Sequence, residues 1–148
     1  LLFKIEGDNR IVETVNFNPP FSDKLLFVYL GKKQKSSESI KRFNATAKFS
    51  DKEINRISEI SHLLIKASNI NEFNNLIEEH EEIMSQILNT KTVKSLLFSD
   101  LKGSVKSLGA WGGDFVMLSS ESSKTDIEKY LKNKGYNTYF TFNELLLN

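Results

Sequence analysis

The stretch Lys106-Ser-Leu-Gly-Ala-Trp-Gly-Gly-Asp-Phe-Val-Met-Leu-Ser-Ser120 decides how this chain is interpreted. It contains three of the seven glycines and the only tryptophan, and after Asp114 an apolar run extends from Phe115 to Leu118. Glycine adopts positive φ without a Cβ penalty and allows another backbone or a ligand to come close. A glycine cluster between two strand-like segments therefore predicts a hairpin. Composition alone favours a simple turn with a packed tryptophan, and a turn that contacts a ligand is the alternative.

The composition of the 148 residues is typical of one soluble globular domain. A formal net charge of +1 does not indicate the strongly basic surface that is typical of nucleic-acid-binding proteins. Without cysteine there is no disulfide or thiolate chemistry, and two histidines are too few for a histidine-built metal site. No apolar run approaches a membrane span and no signal-like segment opens the chain, so we expect a cytoplasmic protein. The sequence starts in a strand-like pattern without methionine, which predicts a fragment of a longer protein.

The segments around the glycines alternate between strand-like and helix-like patterns. Residues 104–108 and 114–119 read as the strands of the hairpin, and the apolar run 25–30 predicts a strand buried on both faces. An aromatic-rich strand is predicted at 136–142. Helices are predicted at 36–47, 50–68, 69–88, 91–103 and 124–134. Ser50 with Glu53 has the spacing of a capping box, and Gly103 and Gly135 stand at expected helix stops.

From residue 25 onward the order is strand, helices, strand, strand, helix, strand. Without the extra helices this is the β-α-β-β-α-β pattern of a ferredoxin-like split fold in the α+β class, with helices covering one face of an antiparallel sheet. Residues 1–20, with a hairpin turn at Gly7-Asp8-Asn9, lie outside this pattern. We therefore expect 1–20 to connect to a preceding N-terminal domain and 21–148 to form the ferredoxin-like domain.

Three groups of polar residues are candidates for chemistry. His80 lies within the run Glu78 to Glu82, but successive helical positions point around the whole circumference. A solvated face with one or two inward-leaning groups is therefore favoured over a metal or general-base site. His62, between apolar neighbours, is predicted to be a hydrogen-bonded packing residue. The lysine loop, which consists of Lys32, Lys33 and Lys35, could hold an anion, and a solvated loop is the alternative.

The pattern Lys106-x-x-Gly109-Ala110-x-Gly112-Gly113-x-Phe-Val-Met-Leu resembles the third, C-terminal motif of the GHMP kinases. This superfamily contains the galactokinases and the homoserine, mevalonate and phosphomevalonate kinases. The chain looks most similar to the Bacteroidetes GYDIA-type branch, also at Phe17-Asn-Pro-Pro-Phe21, Phe27-Val-Tyr-Leu30 and Lys32-Lys-Gln34. It departs from the general motif where Trp111 and Asp114 replace glycine and Leu108 replaces a hydroxyl residue.

The resemblance implies an ATP-dependent kinase that uses Mg²⁺ and transfers the γ-phosphoryl group to a small molecule, as mevalonate kinases do. The residues implied to contact ATP are Lys106, Gly109, Ala110, Trp111, Gly112, Gly113 and Asp114. The lysine loop would contact an anionic substrate. Asp114 would order the turn or meet Mg²⁺, and Trp111 would pack between domains or stack on a ligand.

The family's Pro-x-x-x-Gly-Leu-Gly-Ser-Ser phosphate loop and its catalytic Asp and Lys are absent from this sequence. The resemblance therefore implies the C-terminal half of an enzyme of ~300 residues in two domains, with no catalytic residues in the fragment and no activity by itself. Its partners would be ATP, a small acceptor and its own N-terminal domain, with neither nucleic acid nor membrane, and homodimer formation stays open. A non-catalytic ferredoxin-like module for regulation or dimerisation is the alternative, and a member that binds nucleotide without transfer is a third reading.

Overall fold

The computed structural model describes residues 1–31, 41, 43, 44, 47, 49–109, 111 and 113–145. Within this part the strands are β1 (Leu2–Glu6), β2 (Asn9–Glu13), β3 (Leu25–Tyr29), β4 (Ser104–Leu108), β5 (Phe115–Ser119) and β6 (Tyr139–Thr141). The helices are α1 (Asp51–Lys66), α2 (Ile70–Leu88), α3 (Val93–Leu97), α4 (Lys124–Asn133) and α5 (Phe142–Leu145). A 3-10 turn, Ser22–Lys24, precedes β3. The predicted helix at 36–47 falls largely outside the described residues.

The main sheet has four strands in the order β4-β5-β3-β6, and all neighbouring pairs are antiparallel. The first strand of the predicted pattern, β3, is therefore central, and the β4–β5 hairpin occupies one side of the sheet. This arrangement confirms the ferredoxin-like α+β fold. The last strand is shorter than the predicted 136–142: it begins only at Tyr139, and at its other end Phe142 leaves the sheet to begin α5 and is buried there.

Helices cover both faces of this sheet. Leu26 of β3 belongs to an apolar cluster that includes Ile127 and Leu131 of α4, whereas Leu25 joins Phe73 of α2 in a second cluster. Successive side chains of a strand point to opposite faces, so the two clusters lie on opposite sides of the sheet. The predicted burial of β3 on both faces is confirmed. The expectation that helices cover only one face is wrong, because every residue of β3 is apolar and both faces need cover.

Capping residues set the helix ends. The backbone N–H of Ser50 donates to the Glu53 carboxylate at 2.7 Å, as a capping box requires. The side chains of Asn69 and Ser123 each accept from the backbone N–H three residues later, at 2.9 and 3.2 Å. Gly135 has φ +84 just beyond α4 and ends that helix as predicted.

Gly103 has a different role from the one predicted. The helix before it, α3, already ends at Leu97, so Gly103 does not stop a helix. It lies at the start of β4 with φ +147, and a Cβ built on it would lie 2.0 Å from the Ser119 carbonyl oxygen. Glycine is needed here because two backbone segments meet at the end of the β4–β5 pair.

Strands β1 and β2 form a separate two-stranded sheet, joined by the predicted hairpin turn with Gly7 at φ +59. One face of this hairpin is apolar and uncovered: Phe3, Ile5 and Val12 are 70%, 79% and 52% exposed. Phe3 and Val12 are cross-strand partners, so these side chains form one continuous surface. Among the helices in the described part of the chain, none is long and apolar enough to cross a membrane.

Candidate functional site

The candidate site is the glycine turn, residues 109–114, which joins β4 to β5. Leu108 and Phe115 form the last strand pair before it. Gly109 has φ +68, and a Cβ built on it would have no neighbour within 4 Å among the described residues. Glycine is therefore required at Gly109 by its backbone conformation, while the space beside it stays open. The predicted ATP contacts Ala110 and Gly112 lie outside the described residues.

The glycine turn is attached to the end of the central strand. The N–H of Leu30 donates to the Asp114 carbonyl at 2.7 Å, and the rings of Tyr29 and Phe115 lie 5.2 Å apart. The chain that leaves β3 toward the lysine loop therefore starts beside the turn. Lys32, Lys33 and Lys35 themselves fall outside the described residues, so their predicted role stays a prediction.

Trp111 supplies a side-chain donor to the turn. Its side chain is half-buried, and its indole N–H is enclosed without a hydrogen-bond partner among the described residues. A buried donor without an acceptor costs about 1–3 kcal/mol. The neighbouring Gly113 is buried, and the Asp114 residue is half-buried. The turn thus combines an open backbone at Gly109 with an indole N–H that is enclosed by the protein.

Lys106 points away from solvent and toward α2. Its ammonium nitrogen lies 3.3 Å from Glu81 Oε1 and 3.2 Å from His80 Nδ1. The side chain is only 23% exposed. Burial lowers the pKa of Lys106, and the attraction to Glu81 acts in the opposite direction. The positive charge of Lys106 is therefore balanced within the fold.

Glu81 is a candidate functional residue, and its partner Lys106 could not be identified from the sequence. Its side chain is 3% exposed, and no other charged residue in the described part of the chain is buried. Its second oxygen, Oε2, accepts from the Ser107 N–H at 3.2 Å. The prediction that one or two groups of the Glu78–Glu82 run lean inward is thus confirmed. The available signal was its spacing, four residues after Ile77 and three before Met84 on the apolar face of α2.

The other histidine does not pack as predicted. His62 is exposed on α1, so its prediction as a packing residue is wrong: the apolar neighbours turn inward while His62 takes the solvent side of the helix. His80, by contrast, has a side chain only 15% exposed. Among the described residues, no group of three acidic or histidine side chains could hold a metal ion.

Lys106 and Glu81 line two different cavities. One, of about 360 Å³, opens between the β1–β2 hairpin, α1, α2 and the sheet, and Lys106 is the only charged side chain among the described residues that line it. The other, of about 440 Å³, lies beside α2 and is lined by Glu81 together with Val105. The pair therefore joins helix α2 to strand β4, and each of its members borders a different cavity.

No family model matches the sequence, and no curated protein is significantly similar to it. Solved structures do match. A mevalonate kinase and the mevalonate kinase of Methanococcus jannaschii align with TM-scores of 0.67 and 0.66 at 22% and 23% identity, each over 93% of this chain and 45% of the other. The L. major mevalonate kinase in complex with R-mevalonate aligns with a TM-score of 0.67 at 13% identity, over 94% of this chain and 47% of the other.

The fold is shared with mevalonate kinases. The chain spans less than half the length of these enzymes. At these identities the likeness establishes the fold alone, and the activity has to be argued from the residues. The resemblance of the glycine turn to the Bacteroidetes branch stays a prediction.

Proposed function

We propose that these residues are the C-terminal half of an ATP-dependent kinase of the GHMP type, which transfers the γ-phosphoryl group of ATP to a small metabolite. One observation carries the proposal. The stretch that resembles the GHMP motif, residues 106–118, forms a hairpin turn in a chain whose fold matches mevalonate kinase at a TM-score of 0.67. This combination of motif and fold supports the GHMP superfamily.

The glycine turn would hold the phosphates of ATP. Gly109 offers a backbone with open space beside it among the described residues. The residues proposed to contact ATP are Gly109, Ala110, Trp111, Gly112, Gly113 and Asp114. Mg²⁺, when bound with ATP, neutralises charge on the phosphates. The lysine loop would contact an anionic acceptor beside the turn.

The catalytic groups would lie on a further, N-terminal domain. The uncovered apolar face of the hairpin, Phe3, Ile5 and Val12, supports a contact with such a domain, because patches of this kind mark interaction surfaces. Residues 1–20 would then connect the two domains. We expect the 148-residue chain to release no ADP by itself.

The test is ADP release by the longest natural protein that contains these residues, with mevalonate first and then galactose, homoserine and phosphomevalonate. We expect turnover with one acceptor. Gly112→Val in that protein should abolish turnover while the circular dichroism spectrum is kept. Gly135→Ala, outside the turn, is the matched control and should keep turnover. Unchanged kinetics in Gly112→Val would mean that the turn has only a structural role. Turnover by the 148-residue chain would refute the division into two domains.

A nucleotide-binding protein without transfer is the second candidate, and Leu108 favours it. The general motif has a hydroxyl residue at this position, whereas Leu108 packs against the apolar cluster of Phe73 and Met117. A side-chain hydroxyl contact to phosphate is therefore lost. Quenching of Trp111 fluorescence by ATP, without ADP release with any acceptor, would identify this second candidate.

A further inference from the structure

Glu81 joins α2 to the strand that leads into the glycine turn. Its Oε1 lies 3.3 Å from the Lys106 ammonium, and its Oε2 accepts from the Ser107 N–H at 3.2 Å. His80 Nδ1 lies 3.2 Å from the same ammonium. We call these four residues, His80, Glu81, Lys106 and Ser107, the Glu81 anchor. Both carboxylate oxygens are used, and each holds a different group of β4.

A second hydrogen bond fixes the direction of α2 along β4. The Ser104 hydroxyl donates to Asn74 Oδ1 at 2.8 Å. The step from Asn74 to Glu81 along the helix is about 10 Å at ~1.5 Å per residue. The step from Ser104 to Ser107 along the strand is also about 10 Å at ~3.3 Å per residue. Helix and strand therefore run side by side, and the Glu81 anchor lies closer to the glycine turn than the bond between Asn74 and Ser104.

The position of β4 at the edge of the sheet explains what the buried Glu81 carboxylate does for this strand. Within the described sheet β4 is an edge strand that pairs only with β5, so every second backbone N–H points away from the sheet. Glu81 satisfies one of these groups, at Ser107. Gly109, where the turn begins, follows two residues later. The end of the strand is thus held from the helix side at the point where the turn leaves it.

We propose that Glu81 is a positioning residue for the glycine turn and that Lys106 is its counter-charge, not a contact to nucleotide. A carboxylate buried this deeply is stable only when it is paired and hydrogen-bonded. Lys106 meets that need from the neighbouring strand while its alkyl stem lines the apolar cavity beside Met117. The nucleotide part of this proposal rests on the proposed function, and the anchoring part is independent of it.

Amide hydrogen exchange of the 148-residue chain tests the anchoring part. In Lys106→Met the Glu81 carboxylate loses its counter-charge, and we expect exchange at Ser107 to speed up by roughly tenfold. In Lys106→Met/Glu81→Gln both charges are gone while an amide oxygen still accepts from Ser107. We expect exchange there to return to within about threefold of the wild type. The amide of Leu118, in the core of the sheet, should change little in either variant.

The matched control is the pair Glu78 and Lys94, which bridges α2 and α3. Glu78 is 48% exposed, so Glu78→Gln/Lys94→Met should leave exchange at Ser107 unchanged. Equal exchange at Ser107 in wild type and Lys106→Met would overturn the anchor. So would faster exchange at Ser107 and Leu118 alike, because that pattern reports general destabilisation and not a local release of the strand.

Steady-state kinetics of the longest natural protein tests the nucleotide part. If Lys106 acts through Glu81, Lys106→Met should raise the KM for ATP about tenfold with kcat kept, and the double variant should recover to within about threefold. If Lys106 contacts ATP directly, both variants should be equally impaired, and the proposal fails. If the wild-type protein neither binds nor turns over ATP, the proposed function fails, while the exchange data still decide the anchor.

Discussion

Replacement of Gly103 by alanine is predicted to be among the most damaging single changes in this chain. The new Cβ would lie 2.0 Å from the Ser119 carbonyl oxygen and 3.0 Å from the Ser120 Cα, all backbone atoms of β5 and its end. Holding a non-glycine residue at φ +147 costs about 1–3 kcal/mol. Overpacking of this kind adds about 1–3 kcal/mol.

Relief of the overlap would move β4 away from β5 and break neighbouring contacts. The Ser120 hydroxyl, which donates to the Lys102 carbonyl at 2.7 Å, would lose a hydrogen bond that contributes about 1 kcal/mol. The total is about 3–7 kcal/mol, against about 5–15 kcal/mol for the free energy of unfolding of a typical domain. With a urea m-value of about 1–3 kcal/mol/M, the midpoint should fall by more than about 1 M.

The assay is urea unfolding of the 148-residue chain, followed by Trp111 fluorescence and by circular dichroism. Gly135→Ala is the matched control, because Gly135 also has positive φ, at +84, but a Cβ there would have no neighbour within 4 Å in the part of the chain that the structure describes. It should lose only about 1–2 kcal/mol from backbone strain. Equal losses in the two variants would refute the argument, since the close approach of Ser119 would then contribute nothing.

Three further predictions concern helix ends and titrating groups. Ser123→Ala should lower the free energy of unfolding by about 1 kcal/mol in urea titrations, because it removes the acceptor for the Asp126 N–H. The control Ser122→Ala should lower it by less. A larger loss in Ser122→Ala than in Ser123→Ala would contradict the role of Ser123 as the cap. Burial and the Asp100 carboxylate raise the pKa of Tyr130, so the contribution of Tyr130 to stability is lost as pH rises above about 10. Asp100→Asn should lower the pKa of Tyr130, followed by its absorbance, by only part of the shift, because burial maintains the remainder. An unchanged titration would refute the contact. The Thr141 N–H and hydroxyl lower the pKa of Glu144 from 4.5, so the contribution of Glu144 to stability is present above that pH and is lost as pH falls through the folded-state pKa. Glu144→Gln should therefore flatten the dependence of Tm on pH in this range. An equally steep dependence in the variant would contradict this prediction.

Local features of this chain could be predicted from sequence because their causes lie within a few residues. Ser50 and Glu53 are three positions apart, and the bonds that cap α1 join those same residues. Gly135 ends α4 through its own backbone conformation. The glycine turn was found in the same way, since a hairpin tip needs only its flanking strands and residues that tolerate its φ values.

Interactions between distant segments could not be predicted in this way. A helical wheel places Glu81 on the inner side of α2, but its partner Lys106 is 25 residues away, and no pattern in the sequence links the two. Gly103 carries the signature of a helix stop, and its actual constraint is the carbonyl of Ser119 on the neighbouring strand. The one-sided sheet was wrong for a related reason, because the face that each helix covers is chosen by packing and not by element order.

The sequence by itself therefore determined the strands, the helix caps, the order of the ferredoxin-like pattern and the place of the glycine turn. These depend on side-chain periodicity and on backbone conformations that act over a few residues. Only the tertiary structure decided that α2 lies along β4 and that the charge of Lys106 is matched by a buried carboxylate before the turn begins. Burial and electrostatic pairing depend on which surfaces meet, and that is set by the packed chain as a whole.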